Sequence, residues 1–297
     1  MEPVKSQDNE IQERVRQFYD GVGWKILSEK DGRSIYQNTL HEDLRPVAQE
    51  YIHNCRLRVL RHVDLSGRFF LDAGSGPIQY QEYLEYSKGY DRRICLDISS
   101  LALKEARDQI GEHGLFVVGD VAKLPFKANT FDAVVSLHTI HHLQAPDQLR
   151  AYAEFYRVLA ENRRAVVVSG WLSPPIPRIL NKPIGWKKRL KRWLIGSRNQ
   201  AKPGSAESRN IKDRTMGTYV NKYNADWLNR ALNGDISYRI AAWRSLDSGI
   251  LRFYFHSRLG GRLLLRLLFR LEDRYATLFG INGRYPMIII NKRSEIG

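Results

Sequence analysis

The chain has 297 residues, 43% of them hydrophobic and 27% charged, a composition typical of a globular protein with one substantial core. Two cysteines, Cys55 and Cys95, are too few for a disulfide-based scaffold. The best candidate for a membrane span, residues 263–271, contains Arg266 and Arg270, and the polar, acidic first ten residues predict neither a signal nor a transit peptide. These features predict a cytoplasmic protein.

The charge balance is unusual for a protein of this composition. A formal net charge of +15 and a pI near 9.8 predict attraction to an anionic partner. Nucleic acid, an acidic lipid surface and a phosphorylated substrate all fit this charge, and so does a solvated basic surface without a specific partner.

Two helices are predicted before the first buried strand. Apolar residues at helical spacing predict helices over residues 10–19 and 46–63, with a loop-rich segment between them. Asp20 and Gly21 end the first pattern. These helices either cover the mouth of a site or pack on the edge of a sheet.

The segment FFLDAGSGP, residues 69–77, joins an apolar run to an acid and two closely spaced glycines. This pattern predicts a buried parallel strand that leads into a tight loop. Further strands are predicted at 93–96, 115–118, 131–137 and 165–169, and helices at 80–86, 101–110 and 146–159. Because strand and helix alternate, the sequence predicts an α/β protein with a parallel sheet covered on both faces.

Most of the excess charge lies in residues 171–217, which contain twelve Lys or Arg and two acids. Within this segment Trp186, Leu190, Trp193 and Leu194 share one face of a predicted helix, and basic residues surround them. Such a helix is typical of contact with anionic membranes or phosphates, although it can also pack on the domain. Residues 201–212 are predicted to form a mobile loop.

The C-terminal part combines two predicted strands with a leucine-rich helix. A helix is predicted at 224–232, strands at 236–243 and 286–290, and a long helix at 259–278. Arginines 262, 266, 270 and 274 form one stripe on this long helix, and leucines fill the rest. A helix this apolar is expected to be covered by the core, a partner or lipid.

Four segments in order, FFLDAGSGP, RICLDIS, LFVVGDVAKLPFKANTFDAVVS and LHTIHHL, resemble the class I S-adenosylmethionine-dependent methyltransferases. The resemblance covers residues 69 to about 171 and is strongest to the small-molecule type 11 branch related to ubiquinone and menaquinone methylases. It implies a Rossmann-like sheet of seven mostly parallel strands, the last antiparallel, with helices on both faces. One methyltransferase domain is expected, with a helical cover (1–66), a cofactor-binding core (67–170), a basic insertion (171–222) and a C-terminal part of the sheet (223–297).

The resemblance also implies the residues that hold S-adenosylmethionine. The backbone of Ala73, Gly74, Ser75 and Gly76 is expected to surround the methionine part. Asp72 is expected to anchor the loop and the ammonium, Asp97 to accept from both ribose hydroxyls, and Asp120 to accept from the adenine amine. Ile98 and Val121 are expected to sandwich the adenine, and Leu137 to complete the wall. Each Asp alone can also be a turn or helix-cap residue. The third glycine of the family's loop is missing, because Pro77 and Ile78 stand there.

Three histidines follow the fourth predicted strand and are the candidates for the acceptor's proton. His138 and His141 are the expected catalytic bases, because histidine titrates near neutrality, whereas His142 is expected to be structural. Some related O-methyltransferases carry two Glu and one His as metal ligands in the corresponding places, so a divalent metal is an alternative, as is a purely structural cluster. Weaker candidates for lining the acceptor pocket are Tyr19, Tyr36, His41, Tyr219 and Tyr223.

The resemblance implies methyl transfer to an oxygen or carbon atom of a small or lipid-linked acceptor. The Trp-bearing basic helix and the Arg-striped leucine helix predict an amphiphilic acceptor or contact with an anionic membrane surface. An RNA methyltransferase is an alternative that the charge favours, but no Asn/Asp-Pro-Pro-aromatic tetrapeptide follows the fourth strand. A non-catalytic cofactor-binding or scaffold protein is the other alternative. The glycine spacing does not fit the dinucleotide fingerprint of NAD enzymes. The sequence assigns no oligomeric state.

Overall fold

The computed structural model describes residues 7–30, 33–196, 218–232 and 234–294. A two-stranded antiparallel hairpin, β1 (Ile26–Lys30) and β2 (Arg33–Tyr36), precedes a seven-stranded sheet. The strands of this sheet are β3 (Gly67–Ala73), β4 (Tyr90–Asp97), β5 (Gly114–Val118), β6 (Phe131–Leu137), β7 (Leu159–Val168), β8 (Tyr238–Arg244) and β9 (Tyr285–Asn291).

The spatial order of the seven strands is β5-β4-β3-β6-β7-β9-β8. The pairs from β5 to β7 are parallel, and β9 runs antiparallel to both of its neighbours. The fold expected from the sequence is therefore confirmed, including the antiparallel last strand. Because the chain reverses its direction of winding at β3 and β6, the carboxyl ends of these strands flank a crevice in which α/β proteins bind ligands.

The α-helices are α1 (Gln7–Phe18), α2 (Pro46–Leu57), α3 (Ser100–Ile110), α4 (Ala145–Val158), α5 (Pro175–Gly196), α6 (Ala225–Leu232), α7 (Ser248–Tyr254), α8 (Gly261–Arg274) and α9 (Ala276–Asn282). One buried cluster packs α4 and α6 against the sheet, and a second packs α3 and the 3-10 helix Gln81–Ser87 against it. The sheet is thus sandwiched, as its uninterrupted apolar strands require.

A third buried cluster lies outside the two main layers. It joins α2, α7 and α8, and the inner side of α5 packs against it. The residues that form it are Ala48, Tyr51, Ile52, Cys55, Leu246, Ile250, Leu251 and Leu265, with Ile176, Leu180 and Ile184 of α5 alongside. This helical layer carries the segments that the sequence marks as basic or leucine-rich.

Several local expectations were wrong. The loop-rich segment after α1 contains the β1–β2 hairpin, and α7 was not predicted. The helix expected over 80–86 is a 3-10 helix, and the long helix expected over 259–278 breaks at Tyr275, whose φ of −118° and ψ of 48° are not helical. The loop expected over 201–212 lies outside the described residues. Within the described ranges, the helices are too short or too polar to cross a bilayer.

Candidate active site

The glycine turn after β3 brings backbone to the carboxyl edge of the sheet. Gly74 and Gly76 have φ angles of 74° and 56°, in the left-handed region that glycine adopts without strain. A Cβ on Gly74 would lie 2.3 Å from the side chain of Thr139, so no larger residue fits there. The Gly74 amide donates to the Leu96 carbonyl of β4 over 2.7 Å, which fixes the turn against the neighbouring strand.

Ile78 occupies the place where the family has its third glycine. Its φ of 55° is also left-handed, although a β-branched residue is strained there. The side chain is buried in the second core cluster and does not line the cavity described below. The 3-10 helix that follows this turn begins at Gln81. Burial of the Ile78 side chain therefore compensates for the strained backbone.

Asp97 ends β4 and holds the glycine turn to the start of α3. Its Oδ2 accepts from the Gly76 amide and its Oδ1 from the Ser99 amide, each over 2.9 Å. Burial raises the pKa of Asp97 to about 6, even though these two bonds favour the carboxylate. Asp72 and Asp20 nearby add to the rise. The cost of this buried charge is what a bound donor, such as a ribose hydroxyl, would relieve.

Asp120 follows β5 and is already engaged by the N-terminal helix. Its Oδ1 accepts from the Ala122 amide over 2.8 Å, and its Oδ2 accepts from the side-chain amide of Gln12 over 2.6 Å. Gln12 thus presents an NH₂ group to the carboxylate that the resemblance assigns to the adenine amine.

Asp72 differs from the other two acids because a buried cation neutralises it. The guanidinium of Arg93, from β4, donates to Asp72 Oδ2 and also to the Tyr83 carbonyl over 2.6 Å. Both side chains are almost fully buried. The pair anchors the end of β3, a role that sequence reasoning did not assign to Arg93.

These elements surround a cavity of about 140 Å³ at the carboxyl edge of the sheet. The structure brings together Asp72, Gly74, Ser75, Gly76, Asp97, Ile98, Asp120, Val121, Leu137 and His138 around it. Of the residues expected from the sequence, Ala73 and His141 do not line it; Ala73 is fully buried, and its carbonyl accepts from Ser136 Oγ over 2.8 Å. Of the weaker candidates for lining the pocket, only Tyr19 contributes to its wall.

The N-terminal helix covers the mouth of this cavity. Gln12, Val15 and Arg16 of α1 line it, as do Tyr19 and Trp24 from the following turn. The ring of Trp24 lies over Gly76 and stacks on Tyr19 at a centroid distance of 4.8 Å. Of the two arrangements that the sequence left open, α1 adopts the cover, whereas α2 packs in the third buried cluster.

His138 lines the cavity together with His142. Its φ of 58° is left-handed, and its ring lies 4.9 Å from Trp243 and 5.4 Å from Tyr285, measured between ring centroids. Burial, with a smaller contribution from the guanidinium of Arg244, lowers the pKa of His138 to about 3. The ring is therefore neutral at physiological pH, which differs from the expected titration near neutrality.

His142 connects the N-terminal cover to the end of the basic insertion. Its Nδ1 donates to the Tyr219 carbonyl over 2.7 Å, since a carbonyl can only accept, and its Nε2 accepts from the Tyr19 hydroxyl over 2.8 Å. Burial lowers the pKa of His142 to about 4, so this neutral tautomer persists at pH 7. These two bonds give His142 a structural part in the site.

His141 lies beside His142, with ring centroids 4.3 Å apart, and burial lowers the pKa of His141 well below its usual range. Its Nδ1 is buried without a hydrogen-bond partner. In the part of the chain that the structure describes, no group of three or more His, Cys, Asp or Glu side chains is arranged to hold a metal ion.

Sequence reasoning missed three charged residues near these histidines. Glu42 accepts from Arg244 over 2.6 and 3.2 Å, and this ion pair holds the pKa of the Glu42 carboxyl below its usual value despite burial. The ammonium of Lys222 lies over Gly170, and burial beside Arg284 lowers its pKa to about 8. No local pattern marks these side chains, because only the tertiary fold brings them to the site.

The donor and acceptor groups on this edge fit S-adenosylmethionine. One cavity is lined by an open backbone turn and by two carboxylates, one with a raised pKa at the end of β4 and the other after β5. The apolar side chains of Ile98 and Val121 line the same cavity. A nucleoside with two vicinal hydroxyls and an exocyclic amine matches this set.

Comparisons with known proteins identify the relatives of this chain. Residues 71–167 match the family described as "Methyltransferase domain", of the type 11 kind. The phthiotriol/phenolphthiotriol dimycocerosates methyltransferase 1 of Mycobacterium ulcerans (strain Agy99) is 29% identical over 134 residues, which are 45% of this chain and 46% of that protein. The ubiquinone/menaquinone biosynthesis C-methyltransferase UbiE of Ruegeria sp. (strain TM1040) is 33% identical over 109 residues, 34% of this chain and 42% of that protein. The chain thus spans about half the length of these curated relatives.

A solved structure shares the fold at low sequence identity. The geranyl diphosphate C-methyltransferase from Streptomyces coelicolor A3(2), in complex with Mg²⁺, geranyl diphosphate and S-adenosyl-L-homocysteine, superimposes with a TM-score of 0.53 and 15% identity. The alignment covers 95% of this chain and 97% of that chain. Residues 71–167 therefore belong to the class I S-adenosylmethionine-dependent methyltransferases of the type 11 kind, and S-adenosylmethionine is the cofactor of this domain.

Proposed function

We propose that the chain transfers a methyl group from S-adenosylmethionine to an oxygen or carbon atom of a small or lipid-linked acceptor. The observation that supports this proposal best is the meeting of the glycine turn, Asp97 and Asp120 at one cavity that His138 also lines. The cofactor site and a candidate proton acceptor thus share a wall.

In this proposal the backbone of residues 73–76 surrounds the methionine part of the cofactor. Asp97 accepts from the ribose hydroxyls. Asp120 accepts from the adenine amine once its hydrogen bond with Gln12 has broken. Ile98 and Val121 cover the two faces of the adenine, and Leu137 lies in the wall of the same cavity. Asp72, neutralised by Arg93, holds the turn in place and contributes an acceptor for the ammonium.

Bound S-adenosylmethionine supplies an electrophilic methyl group on a sulfonium sulfur. The work left to the protein is to orient the acceptor and to take up its proton. We assign the proton to His138, whose neutral ring lies in the wall of the cavity. A hydroxyl oxygen or ring carbon that has gained a methyl group is strongly acidic, so a base with a pKa of about 3 is sufficient. His141 is a second candidate, separated from the cavity in the present arrangement.

The names of two relatives support the class of acceptor. The Mycobacterium ulcerans protein is named for phthiotriol/phenolphthiotriol dimycocerosates, and the Ruegeria protein for C-methylation in ubiquinone/menaquinone biosynthesis. Because the match covers less than half of each relative's length, we propose only the class of the acceptor, which is small or lipid-linked.

Calorimetry with S-adenosylhomocysteine tests the cofactor site. Asp97→Ala removes the carboxylate at the end of β4 and is expected to weaken binding more than tenfold, because hydrogen bonds to a charged group are lost. Asp91→Ala is the matched control, since Asp91 is an exposed acid near the start of the same strand. Equal binding by the wild type and Asp97→Ala would contradict the site.

Transfer itself is tested with cofactor that carries a labelled methyl group, incubated with lipid and aqueous fractions of a source extract. Label in the organic phase is expected, and its loss in Asp97→Ala links it to the site. Binding of S-adenosylhomocysteine without transfer to any fraction would favour a non-catalytic cofactor-binding protein instead.

A further inference from the structure

We propose that the outer faces of α5 and α8 form a docking surface for an anionic lipid membrane. This membrane-facing surface consists of Ile179, Trp186, Leu190 and Trp193 on α5, and Leu263, Leu264, Leu267 and Leu271 on α8. The inference concerns where the protein resides, and it stands whether or not the proposed transfer occurs.

Helix α5 uses one side for packing and leaves another side apolar and uncovered. Ile176, Leu180 and Ile184, spaced by four residues, face the third buried cluster. Trp186 and Trp193, in contrast, are 79% and 70% exposed. A tryptophan contributes more apolar area than most side chains, and its amphipathic ring favours the interface between lipid and water. The side chain of Leu194, expected on the same face, lies outside those that the structure describes.

Helix α8 likewise has one side packed against the protein and another side that is apolar and exposed. Leu265 and Glu272 are buried against the protein, whereas Leu263 on the opposite side is 71% exposed, with Leu267 and Leu271 close by on the same face. Contiguous exposed leucines are uncommon on a monomeric protein and indicate a surface that meets a partner or a membrane. The leucine-rich helix that the sequence marks is thus only half covered by the core.

The cations beside these apolar faces indicate which partner covers them. Helix α5 contains no acid, and five of its basic side chains are exposed: Arg178, Lys182, Lys187, Arg189 and Arg192. On α8, Arg266 is paired with Glu50, but Arg262, Arg270 and Arg274 are exposed beside the leucines. An apolar face bordered by Lys and Arg is complementary to a bilayer with anionic headgroups.

A second copy of the chain fits this surface less well than a membrane does. In a symmetric dimer the same face meets itself, so the cations of α5 would oppose one another. RNA would match the positive charge, but it would leave the exposed leucines of α8 in water. The membrane satisfies the apolar and the basic parts together.

The third buried cluster also links this surface to the cavity. The Tyr254 hydroxyl of α7 donates to the Leu180 carbonyl of α5 over 2.9 Å, and Ser248 Oγ of α7 donates to the His41 carbonyl over 2.6 Å. His41 ends the 3-10 helix Gln37–His41, whose Asn38 lines the cavity. These contacts connect the docking surface to one wall of the cavity.

Vesicle flotation of the full chain without cofactor tests the docking surface. The wild type is expected to float with vesicles of phosphatidylcholine and phosphatidylglycerol, and to float much less with phosphatidylcholine alone. Trp186→Ser with Trp193→Ser, and separately Leu263→Ser with Leu267→Ser, should each lower the partition coefficient at least tenfold, roughly the effect of losing two large apolar contacts. Arg189→Glu with Arg192→Glu should lower it by a similar factor.

The matched control is Leu65→Ser with Leu115→Ser, because both leucines are exposed outside this surface. It should float like the wild type. Binding of S-adenosylhomocysteine by every variant verifies folding, and its absence in the wild type would count against the cofactor site and not against docking. The docking surface is wrong if the wild type floats with neither vesicle, or if the control loses as much as the tryptophan variant. It is also wrong if sedimentation shows a dimer that the tryptophan variant dissociates.

Discussion

The side-chain amide of Gln12 donates a 2.6 Å hydrogen bond to the carboxylate of Asp120, across the cavity that the glycine turn helps to form. An amide NH₂ from the N-terminal cover thus engages the oxygen that we assign to the adenine NH₂. Cofactor binding then has to displace an existing bond, and the cover takes part in the binding equilibrium.

Gln12→Ala should strengthen binding of S-adenosylhomocysteine about fivefold, because a competing hydrogen bond worth about 1 kcal/mol is removed. Titration calorimetry measures the change. Gln17→Ala on the same helix is the control, since its amide is bonded to Glu13 at the surface. A weaker affinity of Gln12→Ala would mean that Gln12 contacts the cofactor and does not compete with it.

The affinity for S-adenosylhomocysteine should depend on pH through Asp97. Burial raises the pKa of this carboxyl to about 6, with Asp72 and Asp20 contributing, and only the carboxylate accepts from both ribose hydroxyls. The affinity should therefore be constant above about pH 7 and fall up to tenfold per pH unit below about 6. Asp97→Asn, which does not titrate, should bind weakly with a flat profile between about pH 5 and 7.5; a fall as steep as that of the wild type would assign the effect to another group.

Replacing His138 should separate catalysis from cofactor binding. Asn tolerates the left-handed backbone at this position, so His138→Asn removes the imidazole with little strain. Transfer of the labelled methyl group should slow by about a hundredfold or more, as expected for loss of a general base, while the affinity for S-adenosylhomocysteine is retained.

Two further measurements test the proposed catalytic role of His138. Because its pKa is about 3, the wild-type rate should show no inflection from this residue between about pH 6 and 8. The exposed His256 supplies the control variant, His256→Asn, which should keep the wild-type rate. An unchanged rate in His138→Asn would transfer the catalytic assignment to His141.

Glu272 should be essential for stability although it lies on the leucine-rich helix. Its carboxylate is buried and accepts from the Tyr51 hydroxyl over 2.7 Å, from the Ser245 amide over 2.8 Å and from Arg58 over 3.1 Å. Glu272→Ala leaves Arg58 buried without this partner and should lower the free energy of unfolding by about 3–5 kcal/mol. Denaturant titration followed by fluorescence measures this change. Glu50→Ala, which removes the exposed partner of Arg266, should change the midpoint little.

The sequence predicts the sheet because its strands are apolar on both faces and alternate with helices. Each of the acids Asp72, Asp97 and Asp120 lies at or just after a strand end, so their convergence follows from parallel pairing alone. The backbone at Ile78 is left-handed, a conformation that glycine adopts without strain, at the position where the resemblance predicts a glycine.

The sequence could not predict contacts that depend on distant packing. Arg93 lies in a strand and Glu272 in a leucine-rich helix, and nothing nearby in the chain indicates that each meets a buried partner. The β1–β2 hairpin was missed because its strands are short and bear few core residues. The low pKa of His138 was missed because it depends on distant packing. Trp243, Tyr285 and Arg244, which bury this side chain, come from β8 and β9.

The position of His142 couples the N-terminal cover to the end of the insertion. One imidazole accepts from Tyr19 of the N-terminal cover and donates to the Tyr219 carbonyl, so the cover and the end of the insertion meet at a single ring. A ligand that lifts the cover breaks the Tyr19–His142 bond and leaves this imidazole bonded to the Tyr219 carbonyl alone. We therefore expect cofactor and acceptor to bind in a compulsory sequence, with the cofactor first, and steady-state inhibition patterns with S-adenosylhomocysteine to be those of an ordered mechanism.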